Sequence, residues 1–148
     1  MCAAGTIGKM DGEIRPYQAQ DEEEVVALWH DCKLVVPWND PRRDIATKMA
    51  WQPELFLVAT VDGGVVATVM AGYEGHRGWI NYLAVAPIMQ RQGLGQLLME
   101  EVETRLQQLG CPKINLQIRT SNKEVITFYR SIGYEVNDVI GMGKRLSS

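Results

Sequence analysis

Leu83-Ala84-Val85-Ala86-Pro87-Ile88-Met89-Gln90-Arg91-Gln92-Gly93-Leu94-Gly95-Gln96 is the stretch whose reading decides the fold. The apolar run from Trp79 to Ala86 predicts a buried strand, and Pro87 ends it by removing a backbone donor. A turn rich in Gln, Arg and Gly follows, and Gly95 leads into an amphipathic helix. Strand, turn and helix N-terminus together aim backbone N–H groups at one point, where the helix dipole favours negative charge. The expectation is an anion cradle with a pyrophosphate as its guest. Gly93 and Gly95 suit it, because without a Cβ the chain turns sharply and a ligand can approach the backbone. Two other nucleotide loops are excluded. No Gly-Lys-Ser/Thr follows, as a P-loop requires, and Gly-x-Gly-x-x-Gly is absent.

Downstream of the cradle, Leu94, Leu97, Leu98, Val102, Leu106 and Leu109 keep a helical period, with Gly110 as the stop. Glu101 and Arg105 on the polar face are spaced for an i,i+4 pair. Lys113 to Ile118 predicts a buried strand, parallel to the Trp79–Ala86 strand because a helix intervenes. Ser121 and Glu124 have capping-box spacing for a further helix that closes at Gly133, burying Val125, Tyr129 and Ile132. Tyr134–Val136 and Val139–Leu146 read as two short closing strands.

Upstream, residues 1–12 lack periodicity and are expected to be a loose tail, with the domain spanning 13–148. Ile14 to Tyr17 reads as a short strand. Asp21 and Glu24 have capping-box spacing for a helix whose stripe is Val25, Leu28, Trp29 and Cys32. His30 lies off that stripe, and Cys32 reads as a small core residue rather than a nucleophile. Pro37-Trp38-Asn39-Asp40-Pro41 breaks this helix and begins another over about 42–50. Leu55–Val61 and Val65–Tyr73 are strands joined by the hairpin signal Asp62-Gly63-Gly64, and Glu74–Gly78 is the next turn.

Composition bounds the function. The chain has 148 residues, enough for one cored domain, and a formal charge of −3, which argues against a nucleic-acid surface. Cys2, Cys32 and Cys111 are far apart, with no C-x-x-C, and two histidines give metal ligation little support. No long apolar run or signal-peptide core is present, so a soluble protein of a reducing cytoplasm, without membrane partner, is expected. A homodimer stays open. The pattern as a whole is α/β (α+β): one mixed, mostly antiparallel sheet of about six to seven strands flanked by about four helices.

Gln90-x-x-Gly93-x-Gly95 after Leu83-Ala84-Val85 resembles the acetyl-CoA motif of the GNAT acetyltransferase superfamily. Asn122 to Tyr134, with Phe128-Tyr129 and Gly133-Tyr134, is similar to that family's second signature. Pro37–Pro41, Gly75–Gly78 and Gly110–Ile114 look more narrowly like the small bacterial YpeA type. The resemblance runs from about Ile14 to Leu146. It implies a GNAT-like domain whose two parallel strands splay apart for the co-substrate acetyl-CoA, with no metal. On that pattern, the main chain of Leu83 and Val85 holds the thioester and pantetheine arm. The amides of Arg91, Gln92, Gly93, Leu94, Gly95 and Gln96 hold the pyrophosphate, with Gln90 heading the motif. Asn122 bonds the pantetheine amide, and the connection at Trp38 and Asn39 flanks the acceptor, with Trp79 as a further aromatic wall.

The resemblance also implies chemistry: an N-acetyltransferase moving acetyl from the thioester to an amine, either a small molecule or an exposed peptide N-terminus. Tyr129 matches the general acid, and a phenol with a pKa of about 10 stays protonated at neutral pH to serve a departing thiolate. The base departs from the pattern. The strand positions that usually carry Glu or His hold Trp79 and Asn81, while Tyr82 between them is expected on the opposite face. Water positioned by Asn81, a carboxylate such as Glu135 or Asp138, or a weakly basic acceptor all remain open. A non-catalytic acyl-CoA sensor is the alternative. No Gly-x-Ser-x-Gly elbow supports a hydrolase.

Overall fold

In a computed structural model, which describes residues 5–6 and 12–147, the expected strands as far as Ile114–Asn115, and one not expected, assemble in chain order. Strands β1 (Gly5–Thr6), β2 (Gly12–Pro16), β3 (Phe56–Val61), β4 (Gly64–Tyr73), β5 (Gly78–Val85) and β6 (Ile114–Asn115) form one six-stranded sheet. Every neighbouring pair is antiparallel except β5–β6, which is parallel. Among the described residues, four α-helices accompany it: α1 (Glu22–Asp31), α2 (Pro41–Met49), α3 (Leu94–Gln108) and α4 (Lys123–Ser131). Contacts divide the chain into two units, Met1–Gln117 and Ile118–Ser148.

In the first unit, the β3–β4 hairpin closes on Asp62 and Gly63, both left-handed (φ 51° and 82°), the backbone of a type I′ turn. β3 is buried almost throughout, and Trp29 and Val25 of α1 pack with Phe56, Val58 and Met70. Tyr17 stacks on Phe56 with ring centroids 4.6 Å apart. On α3, Leu98, Met99, Val102 and Leu106 are buried, while Leu109 is exposed past the stripe. Gly110 takes φ 85°, as its place after the helix requires.

Several local expectations give way. Gly5 and Thr6 pair with Ile14 and Glu13, so these two residues of the expected tail, and Gly12, are strand; residues 1–4 and 7–11 lie outside the described residues. Asp21 heads α1, but its carboxylate does not cap it. It is buried, accepting both guanidinium N–H groups of Arg15 (2.8 and 2.9 Å) and the Gln18 amide. Although burial acts in the opposite sense, these partners hold the Asp21 carboxyl below its usual range. Arg105 does pair with Glu101 at 3.0 Å, yet it is buried rather than on a solvent face, donating also to the Glu54 carbonyl.

In the second unit, Asn122, not Ser121, caps α4, accepting from the Val125 amide at 3.3 Å. Gly133 (φ 101°) closes the helix as expected. The two closing strands are absent among residues 132–147, and Val139 and Met142 are 76% and 93% exposed. Gly141 and Gly143 interrupt the apolar alternation, and a strand forms only against a partner ladder, which this unit does not offer. β6 is likewise two residues rather than the six expected from Lys113 to Ile118.

Candidate active site

The strand that organises the sequence also organises the site, because β5 loses its partners partway along. On one side its register with β6 covers only Gly78↔Ile114 and Trp79↔Asn115, so no strand of the first unit lies beside Ile80–Val85 at that edge. On the other side, Thr68 pairs with Ala84 but Met70 pairs with Asn81, leaving Tyr82 and Leu83 opposite Val69 alone. This is a β-bulge, and Tyr82 carries it with φ 52°, a left-handed conformation rare for a bulky residue. Pairing of the two parallel strands therefore ends at Trp79 and Asn115, because β6 itself ends there.

Buried contacts pin the bulge. The indole of Trp29 donates to Thr68 Oγ1 at 2.9 Å, and the Thr68 hydroxyl donates to the Tyr82 carbonyl at 2.9 Å. The Tyr82 ring stacks on Trp29, centroids 3.7 Å apart. Its hydroxyl donates to Asp44 Oδ2 at 2.6 Å, and burial, helped by that carboxylate, pushes the phenol pKa up. Strict alternation placed Tyr82 on the opposite face from Asn81. The extra residue of the bulge breaks that parity, and both line one cavity.

That cavity, about 510 Å³, lies between α2, the connection before it, and β4–β5. Asn39 and Asn81 line it, as do Asp44, Lys48 and Trp51, which sequence reasoning did not single out. A signal existed. Asp44, Ile45 and Lys48 share one helical face, and Ile45 is core, so two charges stand where a surface helix ordinarily buries apolar groups. No such signal marks the bulge. Trp38 and Trp79 are exposed and are not among the lining residues.

Beyond β5 the cradle is built from backbone. Pro87–Met89 form a short 3₁₀ turn, Arg91 (φ 64°) and Gly93 (φ 85°) are left-handed, and Gly93 is the N-cap of α3. The helix thus starts one residue before Gly95, which sits in its first turn. A Cβ on Gly93 would meet nothing, so its requirement is the backbone angle rather than space. No side chain caps α3, which leaves the first-turn amides of Leu94, Gly95 and Gln96 for an anion. Gln90 ties the loop back, its side-chain amide donating to the Val85 carbonyl at 3.0 Å. Cys32 donates to the same oxygen at 3.3 Å, and burial raises its thiol pKa, in keeping with a packing role. Gln92 reaches only the Ile88 carbonyl.

The profile of the acetyltransferase (GNAT) family matches residues 19–134. The chain belongs to the GNAT acetyltransferase family. An acetyltransferase of Yersinia enterocolitica is 48% identical over 134 residues, covering 90% of this chain and 95% of that protein. Among solved structures, Ard1 of Thermoplasma volcanium superposes with a TM-score of 0.73 at 23% identity, over 86% of this chain and 84% of its own. An aminoglycoside 6′-N-acetyltransferase of Acinetobacter haemolyticus gives 0.71 at 17% identity, over 90% and 99%. These two likenesses bear on the fold alone, which is the GNAT fold. The protein is an acyltransferase that carries out acetyl transfer. Among the described residues, no group of three or more His, Cys, Asp or Glu could hold a metal, and no helix is long and apolar enough to cross a membrane.

The second unit carries the other two residues that the resemblance singles out. Asn122 Oδ1 is engaged in capping α4, so its amide N–H₂ is the group left for a ligand. Tyr129 is 6% exposed, with edge contacts to Phe128 and Tyr134. Burial raises its pKa, and its hydroxyl makes no hydrogen bond to another described residue. Glu135 and Asp138 lie on the irregular segment that replaces the closing strands.

Proposed function

We propose that residues 13–148 act as one acetyl-CoA-dependent N-acetyltransferase domain, working in the cytoplasm on an amine, either a small molecule or an exposed N-terminus. The observation that carries this reading is β5 itself. Its released edge runs directly into a loop whose left-handed residues deliver the uncapped N-terminus of α3. A backbone edge suits an amide-bearing arm, and uncapped amides suit a pyrophosphate.

Acetyl-CoA supplies the acetyl group as a thioester. The chain's own groups divide the remaining work. Leu83 and Val85 main-chain groups would hold the arm; since the Val85 carbonyl already accepts from Gln90 and Cys32, Val85 offers its amide. The amides from Arg91 to Gln96 would hold the phosphates, and the Asn122 N–H₂ an amide of the arm. Asn81, whose side chain makes no hydrogen bond to another described residue, would position the water that takes the proton from the attacking nitrogen. Tyr129 would give its hydroxyl proton to the departing sulfur as the C–S bond breaks. Burial raises its pKa, which keeps the phenol protonated and makes it first a hydrogen-bond donor to that sulfur.

The non-catalytic sensor reading rested on the missing base, and the cavity beside Asn81 supplies a carboxylate, Asp44, that alternation along β5 could not show. The test is thermal denaturation with acetyl-CoA, followed by free-CoA release across a panel of amines. Stabilisation by acetyl-CoA and amine-dependent release are expected. No stabilisation by any CoA species would overturn the assignment.

A further inference from the structure

Asp44 and Lys48 stand i,i+4 on α2 with the acid N-terminal, the arrangement that closes an ion pair along an ordinary helix surface. Here no ion pair joins them. Asp44 Oδ2 is taken by the Tyr82 hydroxyl at 2.6 Å, which leaves Oδ1 for a ligand. Lys48 does not pair with it. Its ammonium stands over Gly72, 3.7 Å from where a Cβ on that glycine would be. Lys48 is only 8% exposed, lines the cavity, and makes no hydrogen bond or ion pair with a described residue. Burial lowers the pKa of this ammonium, and the charge of Glu54 opposes that only in part.

A lysine this little exposed holds its charge at some cost, and a helix offering it an acid one turn away has an inexpensive remedy that this helix does not use. Both charges face one cavity and neither neutralises the other. Such a cavity fits a ligand with the complementary pair of charges. We propose that the acceptor is zwitterionic: an amine with a carboxylate a few bonds away, the carboxylate paired with Lys48 and the amino group with Asp44, as in a free amino acid. This rests on the acetyl-transfer reading above and narrows it. Asn81, adjacent to Asp44's partner Tyr82 on β5, stands beside the seat assigned to the amino group. At about 510 Å³ the cavity exceeds what the charged ends require, so a side chain has room. Leu34 and Met70 give that room apolar walls, and Trp51, 63% exposed, gives it an aromatic edge.

The experiment uses the full chain with saturating acetyl-CoA, presenting each common L-amino acid beside its own carboxamide, which keeps the amine and removes the carboxylate. Wild-type enzyme should favour at least one acid over its amide by about ten- to a hundredfold in kcat/KM, the worth of one charge-assisted hydrogen bond. Lys48→Met should bring that ratio close to one, and Lys48→Arg should restore part of it. Asp44→Asn should weaken acid and amide alike. Thermal stabilisation by acetyl-CoA should persist in all three variants, which shows that they fold and that the cradle is intact. Amides used as well as acids, release with neither, or a ratio that survives Lys48→Met would each overturn the zwitterion site. Loss of acetyl-CoA stabilisation in the wild type would instead remove the acetyl-transfer reading beneath it.

Discussion

The cradle and the cavity lie on either side of β5 residues Leu83 to Val85, and they are made of different material. The cradle is backbone: three first-turn amides of α3 and two left-handed residues, with Gln90 binding the loop to the strand. The cavity is side chains: Asn39, Asp44, Lys48, Asn81 and Tyr82, set on two elements and a bulge. A backbone site tolerates almost any side chain provided the glycines stay, so one loop can serve many acceptors. A side-chain site is rewritten by single substitutions. On the proposed assignment of donor to cradle and acceptor to cavity, the two specificities can diverge at different rates within one strand.

The sharpest break in this comparison is a hydroxyl from neither region. Tyr129→Phe removes one oxygen from a buried ring and should leave acetyl-CoA affinity unchanged. Turnover at saturating substrate should fall by about 10²–10⁴-fold, the usual span for a general acid. Steady-state kcat beside a calorimetric Kd decides it, and wild-type turnover would return Tyr129 to a packing role against Phe128 and Tyr134.

Next in size is an intrusion into the cradle. Gly93→Glu places a carboxylate where phosphate should sit and a side chain on a left-handed backbone, although no atom obstructs its Cβ. Acetyl-CoA affinity should fall by about a hundredfold or more. Gln92→Ala, which removes only a long contact to the Ile88 carbonyl, should change it little. Equal effects of the two would mean that the cradle is not a backbone site.

That division also explains what the sequence disclosed. Gly93, Gly95, the Leu83–Val85 run and the α3 period announced strand, turn and helix, because each follows from local spacing. Tyr82 was misplaced because a bulge is a tertiary compromise: its left-handed angle is held by Trp29 and Thr68, far away in sequence. The Val139–Leu146 strand failed in the opposite way, since its alternation was real but strands need partners. Asp44 and Lys48 were visible as an i,i+4 pair, but only the fold shows that no ion pair joins them and that both line one cavity.

A smaller effect tests how the cavity handles protons. Asn81 carries no ionisable group, so Asn81→Ala should lower kcat/KM by about tenfold, less than a group that itself transfers the proton contributes. The break in log(kcat/KM) against pH should not move, and across an amine series it should track the acceptor's own pKa. If Asp44 takes the proton itself, Asp44→Asn should abolish an enzyme-borne break that Asn81→Ala leaves in place. If Glu135→Gln or Asp138→Asn abolishes it, the base comes from the second unit, and the cavity only binds.

The smallest effect concerns Lys48 in the absence of any ligand. Burial lowers its pKa below the ordinary 10.5, so between the folded-state value and 10.5 the unfolded chain holds more protons than the folded one. Stability must then rise with pH across that window, at no more than about 1.4 kcal/mol per pH unit, and the penalty is fully present below it. Wild type alone would hide this. The phenols of Tyr82 and Tyr129 are shifted up, and the stability they contribute is lost as pH climbs through their folded values. The difference between wild type and Lys48→Met isolates the lysine, because both proteins keep the two tyrosines. Urea midpoints from pH 7 to 10 should show the variant's relative advantage shrinking as pH rises. A saturating free amino acid that fills the cavity should flatten this trend, because its carboxylate gives the ammonium the partner that Asp44 withholds. A difference independent of pH without ligand would mean that Lys48 is solvated like any surface lysine, and the cavity would then have no buried charge to satisfy.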